Sequence, residues 1–218
     1  GGQYTGGIVG YMHMGSIYSC SSSVTVSGTS RVGGIAGRQF QGPIEYCSNT
    51  GAVSGTFYVG GIAGQQNSGN IKKCYNTGSI SGTLRDTGGI AGENYAAGIE
   101  NCYNRGDVTG KIYGAGGIVG DFAHSASSVY YCYSTGTVTL KSPSSGKNSG
   151  GIVGDLGTSG SANNVKSCYY LTDTASYGLG NSASDTNAAP KSDPELKEQS
   201  TFSGWDFTGV WEIAEGSS

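Results

Sequence analysis

The sequence has little charge, few prolines and no long apolar run. Of its 218 residues only 12% are charged, and 12 Lys and Arg stand against 15 Asp and Glu, for a net charge of −3. Because binding to nucleic acid depends on basic side chains that neutralise phosphates, this composition excludes that class of partner. No apolar run approaches the roughly 20 residues that cross a bilayer as a helix. We therefore expect neither a nucleic-acid partner nor a transmembrane segment.

Glycine is the residue that the sequence has in excess. The chain contains 41 Gly and 15 Tyr. Glycine at this density is typical of collagen or of disordered chains, but here the Gly residues recur at fixed places in a long repeat. The unit is clearest in residues 33–59, GGIAGRQFQGPIEYCSNTGAVSGTFYV. We expect its Gly positions to be tight corners where a Cβ atom would clash.

Six copies of this unit follow one another along the chain. Each copy begins with a Gly-Gly pair, and further on an Ile or Val precedes a single Cys by three residues. The pairs begin at Gly6, Gly33, Gly60, Gly88, Gly116 and Gly150. A fixed period of roughly 20 to 50 residues indicates a solenoid, in which each unit buries its apolar side against the next.

Short strands rather than helices fit each unit. The apolar residues occur in runs of three to six, whereas a helical unit needs about 10 or more residues with helical periodicity. We predict three strands per coil, in the second unit GGIAG, IEYC and GAVSG, stacked in parallel about 4.8 Å apart. The predicted fold is an all-β, right-handed, single-stranded parallel β-helix of about six coils in residues 1–175.

Stacking turns each position of the repeat into a column of side chains. Ile35 and its equivalents are predicted to point inward, and strand alternation then sends the next position outward. That next column is Val9, Ala36, Ala63, Ala91, Val119 and Val153. We expect it to form a smooth outer face of small residues.

The cysteines and asparagines form two further columns. The cysteines are Cys20, Cys47, Cys74, Cys102, Cys132 and Cys168. An inward ladder of free thiols is favoured over disulfides, because side chains stacked in register have poor bridge geometry. Zinc is disfavoured because a linear stack does not bring four ligands together. Asn49, Asn76 and Asn104 are predicted to hydrogen-bond from coil to coil at a corner.

Two outward columns are candidates for chemistry. Glu93, Asp121 and Asp155 follow the last Gly of three successive units. These carboxylates are interpreted as solvated side chains, as a Ca²⁺ site or as the acid pair of a carbohydrate-cleaving enzyme. Tyr75, Tyr103 and Tyr133 directly follow the Cys column. Their rings either stack on sugars or stack on one another and stiffen the solenoid.

Departures from the repeat are the remaining candidates for function. Insertions place loops at residues 123–128, 140–149 and 157–164, which are either a binding face or tolerated variation. Residues 176–218 are predicted to be a capping or junction segment. Within it, Ser192 and Glu195 have the spacing of a helix capping box. Trp205, Phe207, Trp211 and Ile213 are suited to cover the open end of the solenoid.

The repeats resemble a known family. The pattern GGI[VA]G followed by I-x-x-C-[YS]-N-[TR]-G-x-[VI]-[ST]-G resembles the GLUG motif of bacterial secreted and surface proteins, from Gly6 to about Thr174. The family's motif usually has Leu where Ile35 stands. The resemblance implies an extracellular, adhesin-like protein without catalytic residues of its own. Similar repeats accompany IgA-cleaving metalloproteases, but the chain has no His-Glu-x-x-His zinc motif.

Two functions are compatible with these observations. The first is a non-catalytic structural or adhesive module that binds a host glycan or protein. The alternative is a carbohydrate-active β-helix, a polysaccharide lyase or glycosidase, which needs convergent carboxylates and basic residues. We expect no cofactor and a monomeric module within a longer, secreted or wall-attached chain, since the sequence begins inside a repeat.

Overall fold

The chain folds as an all-β parallel solenoid, which confirms the predicted fold class. The computed structural model describes residues 2–144, 149–180 and 187–212. Their strands form five sheets, and each strand pairs in parallel with the equivalent strand of the next coil. The only helices among these residues are 3-10 turns at Ala162–Asn164, Glu195–Lys197 and Gln199–Thr201. None of the described helices is long and apolar enough to cross a membrane.

We name the five sheets ladders I to V in the order in which a coil visits them. Ladder I contains Thr5–Gly6, Ser30–Gly33, Phe57–Gly60, Thr87–Gly88, Ala115–Gly116 and Ser149–Gly150. Ladder II contains Val9–Met12, Ala36–Gln39, Ala63–Asn67, Ala91–Tyr95, Val119–Phe122 and Val153–Asp155. Ladder III contains Ile17–Tyr18, Ile44–Glu45, Ile71–Lys72, Gly98–Glu100, Ser128–Tyr130 and Val165–Lys166. Ladder IV contains Ser21–Ser22, Ser48–Asn49, Tyr75–Asn76, Tyr103–Asn104, Tyr133–Ser134, Cys168–Leu171 and Ala188–Lys191. Ladder V contains Val26–Ser27, Val53–Gly55, Ile80–Gly82, Val108–Gly110 and Val138–Leu140.

Each coil has five short strands, so the prediction of three was wrong. The segment IEYC divides between ladders III and IV because Tyr46 adopts a left-handed conformation with φ of 56°. The same bend recurs at the residue before every Cys, with φ between 51° and 56°. Those residues are Ser19, Tyr46, Lys73, Asn101, Tyr131 and Ser167. None of them is β-branched, which suits a backbone region that disfavours branched side chains.

The outward face of small residues predicted for the Ala36 column is also wrong. Ala36, Ala63 and Ala91 are fully buried and pack with the Ile35 column in the main core. The chain bends between Gly33 and Ala36, where ladder I ends and ladder II begins. Because the bend interrupts strand alternation, successive side chains at Ile35 and Ala36 both face the interior. A second, smaller core contains Val53 and its equivalents.

The Gly-Gly pairs allow close approach of the backbone, as expected, but do not need unusual dihedral angles. A Cβ atom on Gly33 would lie 2.1 Å from the carbonyl oxygen of Ala36 and 2.8 Å from the amide nitrogen of Gly64. On Gly34 it would lie 2.4 Å from the side chain of Asn49. Neither Gly has a positive φ. Glycine is therefore required at both positions because a Cβ atom would clash with neighbouring parts of the solenoid.

The C-terminal end of the solenoid is continued by part of another coil. Leu179 is fully buried and bridges to Val153, while Ala188–Lys191 pairs with Cys168–Leu171. The described chain therefore forms five coils with all five ladders, a sixth without a ladder V strand, and this partial seventh. The predicted helix near Ser192 is a 3-10 turn, in which the Ser192 amide and hydroxyl both donate to the Glu195 carboxylate at 2.8 Å.

The aromatic tail does not cover the open end, so that prediction was wrong. Trp205 and Trp211 instead pack against the outer side of ladder IV. Their indole nitrogens donate to Ser167 O and Asn101 Oδ1, both at 3.2 Å. The tail therefore runs back along the wall, because the tyrosines there offer an aromatic surface. Ile213 lies outside the described residues.

Candidate functional site

The cysteine column lies inside the solenoid as free thiols. Cys47, Cys74, Cys102, Cys132 and Cys168 are buried, and Cys20 in the first coil is partly exposed. Each thiol lies near the carbonyl oxygen two residues before it, as in Cys74 Sγ to Lys72 O at 3.1 Å. Burial raises the pKa of the Cys74 and Cys132 thiols. The Cys74 and Cys132 thiols therefore stay protonated at neutral pH and act as packing residues.

The asparagine column forms a continuous chain of buried hydrogen bonds. Asn49 Nδ2 donates to Asn76 Oδ1 at 2.8 Å, and Asn76 Nδ2 donates to Asn104 Oδ1 at 2.8 Å. Each amide also donates to a Gly carbonyl two residues later, which for Asn76 is Gly78 at 2.8 Å. All three side chains are fully buried. The column stabilises the interior of the corner and offers no surface to a ligand.

A second buried amide column was missed from the sequence. Gln39 and Gln66 are fully buried in ladder II, in register with each other. Gln66 Nε2 donates to Gly69 O at 2.6 Å and to Gly98 O at 2.9 Å, and so ties the corner loop to ladder III. Gln39 and Gln66 each stand two positions after the third Gly of their unit. Strand alternation places the side chain at that position inside, which is the signal that the sequence offered.

The acidic column is in register but does not form a metal centre. Glu93 pairs with Asp121, and Asp121 pairs with Asp155, on neighbouring strands of ladder II. Asp155 is 4% exposed and accepts from the Gly157 amide at 3.0 Å, while Glu93 accepts from Gln65 Nε2. Among the described residues no three acidic, His or Cys side chains are grouped so that they could hold a metal ion.

A further carboxylate, that of Asp86, is buried beside this column and was not predicted from the sequence as a candidate. Asp86 is 2% exposed, and its Oδ1 accepts from the Gly114 amide at 3.0 Å. The pKa of Asp86 is raised to about 6, mainly by burial and to a smaller extent by the charge of Asp155, while Arg85 opposes the shift. Because both Asp86 and Asp155 lie beneath the surface, they are badly placed to flank a sugar as an acid pair.

The tyrosine column, Tyr75, Tyr103, Tyr133 and Tyr169, forms a stack on the outer side of ladder IV. The rings of Tyr75 and Tyr103 are 4.9 Å apart and 3° from parallel. Those of Tyr103 and Tyr133 are 5.1 Å apart and 7° from parallel. The guanidinium of Arg105 lies 5.5 Å from the Tyr103 ring centre. The column thus both stiffens the wall and presents aromatic surface.

The C-terminal tail builds a groove on this column. Trp205 lies 5.9 Å from Tyr169, and Trp211 lies 5.7 Å from Tyr133, while the two indoles are 4.6 Å apart. The resulting aromatic groove has a volume of about 490 Å³. Its aromatic lining is Tyr133, Phe202, Trp205, Phe207 and Trp211. Its charged lining is Arg105, Lys197, Asp193 and Glu212.

The electrostatics of the aromatic groove are balanced. It has two cationic and two anionic side chains, and one pair, Lys197 Nζ and Asp193 Oδ2, is 2.8 Å apart. Burial raises the pKa of the Tyr133 phenol, which therefore stays a neutral hydroxyl. Aromatic rings beside such polar groups suit a ligand that has both an apolar face and hydroxyl groups.

The other features predicted from the sequence lie away from this groove. Loops 123–128 and 157–164 meet at one corner, where Asn164 Nδ2 donates to Ser125 O at 2.6 Å. Loop 140–149 includes residues 145–148, which lie outside the described residues.

Comparison with known proteins identifies the repeats and the fold. Four segments match the family model of the GLUG motif, at residues 1–27, 28–54, 55–81 and 85–109, which confirms the resemblance. No curated protein matches the chain. A crystal structure described as a putative immunoglobulin A1 protease from Bacteroides ovatus has a TM-score of 0.58 and 24% identity, over 93% of this chain and 75% of that one. At this identity the likeness shows the fold alone.

Proposed function

Because this chain carries four tandem GLUG motifs on a parallel β-solenoid, we propose that it is a non-catalytic glycan-binding module of a bacterial secreted or surface protein. The observation that carries the proposal is the aromatic groove on ladder IV. Its Trp and Tyr rings provide flat apolar surface, and its two charges of each sign provide hydrogen-bond partners without a net charge. A neutral sugar chain has the matching chemistry, with an apolar ring face and hydroxyl edges.

The placement of the carboxylates supports binding without cleavage. Enzymatic cleavage by two carboxylates needs both groups at the scissile bond, at roughly 5 to 9 Å from each other. Of the two carboxylates in the groove, Asp193 and Glu212, the first is already paired with Lys197, while Asp155 and Asp86 lie buried away from the groove lining. GLUG repeats carry no catalytic motif, and we extend no protease activity from the structural neighbour to this chain.

Calorimetric titration with a neutral tetrasaccharide panel tests the proposal. We expect binding by the wild-type chain, and at least a tenfold loss in Trp211→Ala, because Trp211 lines the groove and rests on Tyr133. Tyr18→Ala is the matched control, since Tyr18 is 59% exposed on the first coil. Release of shortened sugars would favour the alternative, a glycosidase or lyase. Binding that Trp211→Ala leaves unchanged would show that the groove is not the site.

A further inference from the structure

Arginine is concentrated on a different wall of the solenoid. Arg31 lies in ladder I, Arg38 in ladder II, and Arg85 just before ladder I of a later coil. All three side chains are half-buried at the surface. They form what we call the arginine face, which the groove on ladder IV does not include.

Tyrosine rings hold each guanidinium group of the arginine face in place. Arg31 lies 5.4 Å from the Tyr4 ring centre and 5.6 Å from that of Tyr58. Arg85 contacts Tyr58 from the next coil, at 5.8 Å. Such stacking orients a guanidinium plane and leaves its N–H edge available to a second group.

Arg38 continues the face toward the first coils. Its guanidinium lies 5.4 Å from the Tyr11 ring and 5.5 Å from the Phe40 ring. Tyr11 in turn stacks on Tyr4 at 5.3 Å, which joins the surroundings of Arg38 to those of Arg31. The three arginines therefore belong to one aromatic surface.

The arginines of this face form no direct ion pair among the described residues, although the buried carboxylate of Asp86 attracts the charge of Arg85. The ion pairs among the described residues join Lys72, Lys191 and Lys197 to acids, and none includes Arg31, Arg38 or Arg85. Arg38 Nε is buried without a hydrogen-bond partner. Half-buried cations that lack a counter-charge are rare because desolvation is costly. These guanidinium groups are thus suited to bind anions from outside the chain.

The side-chain amide of Gln65 lies between the arginine face and the acidic column. Arg31 Nε donates to Gln65 Oε1 at 2.7 Å, and Gln65 Nε2 donates to Glu93. Glu93 begins the acidic column that continues through Asp121 and Asp155 on the following coils. The acidic column thus begins in the same coil as Arg85, and a polyanion that extended along ladder II beyond that coil would meet its carboxylates.

We propose that the arginine face binds a short acidic oligosaccharide. Arg31 and Arg85 belong to coils two steps apart, which is roughly 10 Å at the spacing of paired strands. A single carboxylate does not reach both, so the ligand carries anionic groups on separate units. The rings of Tyr4, Tyr11 and Tyr58 supply the stacking surface that a sugar chain needs between its charges.

The acidic column and the net charge argue against a nucleic acid on this face. A polynucleotide that continues along ladder II past Gln65 would bring its phosphates against Glu93 and Asp121. With a chain net charge of −3 there is also no general attraction for phosphates. An oligosaccharide of limited length avoids this repulsion.

Titration with tetragalacturonic acid tests this inference. In the Trp211→Ala variant, which lacks the neutral-sugar site of the groove, we expect binding that weakens with added salt and at least tenfold weaker binding of maltotetraose. The double variant Arg31→Gln/Arg85→Gln should lose at least tenfold in affinity for the acidic sugar, while Lys166→Gln, which removes an exposed charge from ladder III, should not. If the double variant does not melt like the wild type, Arg38→Gln alone provides the comparison.

The outcomes separate this inference from the proposed function. Absence of tetragalacturonate binding, or affinity unchanged in the arginine variants, overturns the inference. Equal or tighter binding of an oligothymidylate or of a penta-aspartate peptide overturns it in favour of another polyanion. Neutral-sugar binding that still depends on Trp211 would leave the proposed function standing in each of these cases.

Discussion

Each coil turns at a residue that is not glycine. The left-handed position before every Cys is held by Ser, Tyr, Lys or Asn, with φ between 51° and 56°. Sequence reasoning identified the Cys column because one residue type recurs there at a fixed spacing. It missed the bend one position earlier because the residues there share no side-chain chemistry. What they share is only the lack of a β-branch, which is a weak signal.

Inward and outward positions were predictable only within a strand. Val53 is buried while Ala52 and Ser54 are exposed, as strand alternation predicts. At Ile35 and Ala36 alternation fails, because the chain passes from one ladder to the next between the Gly pair and Ala36. The Gly pair marks the position of this bend in the sequence, but not the direction in which the next side chains point.

Asp86 makes the stability of the fold depend on pH. Its folded-state pKa is raised from 3.8 to about 6 by burial, so the folded chain binds the proton more tightly than the unfolded chain. The stabilisation is present below about pH 4 and is lost as the pH rises through about 6. We expect the free energy of unfolding to fall by about 2 to 3 kcal/mol from this group over that window.

Chemical denaturation between about pH 4 and pH 7 measures this effect. Asp86→Asn should flatten the pH dependence, because the amide keeps an acceptor for the Gly114 amide and carries no charge. Asp107→Asn is the control, since Asp107 is an exposed carboxylate that accepts from the Thr137 amide. An Asp86→Asn profile as steep as that of the wild type would contradict the assignment.

At the scale of elements, the tail is a strap on the wall. Phe202 and Trp205 are 7% and 8% exposed, packed on Tyr133 and Tyr169. The amphipathic pattern of the tail predicted that it covers an apolar surface. The sequence could not tell which surface, since the open end and the tyrosine column both qualify and only packing chooses between them.

Removal of the Trp205 side chain should release the tail and leave the solenoid folded. A buried Trp contributes about 3 to 5 kcal/mol relative to Ala, and the packing that Trp205→Ala removes holds the tail against the wall. We expect trypsin to cleave after Lys197 at least ten times faster than in the wild type, through local opening. The solenoid that remains after cleavage should melt at nearly the same temperature as the wild-type chain.

Tyr18→Ala again provides the comparison for this experiment. Its ring is largely exposed, so the cleavage rate after Lys197 should not change. If Trp205→Ala instead unfolds the entire chain in one transition, the tail and the solenoid are one cooperative unit, and the description of the tail as a separate strap is wrong.

For the whole molecule, stacking distributes different chemistry to different walls. Ladder IV carries the aromatic groove, while ladders I and II carry the arginine face and, farther along, the acidic column. The solenoid class followed from the repeat alone, because a fixed period with short apolar runs allows few other folds. The chemistry of each wall did not follow from the repeat, since Arg31 and Arg85, or Trp211 and Tyr103, come together only through coiling.

The interior of the molecule has a separate role from its walls. The Asn and Gln columns are buried, and their amide nitrogens donate both within a coil and to the next coil. We accordingly expect ligands to bind at surface positions whose residues differ from the repeat. A module of this kind varies its binding surfaces without altering the columns that hold the coils together.

The most direct test of this account is a glycan array probed with three proteins, the wild type, Trp211→Ala and Arg31→Gln/Arg85→Gln. We predict that the wild type binds neutral and acidic glycans and leaves them intact. Trp211→Ala should lose the neutral set, and the arginine variant should lose the acidic set. Binding to no glycan, loss of both sets in either variant while the fold is retained, or shortening of the arrayed glycans would contradict the account.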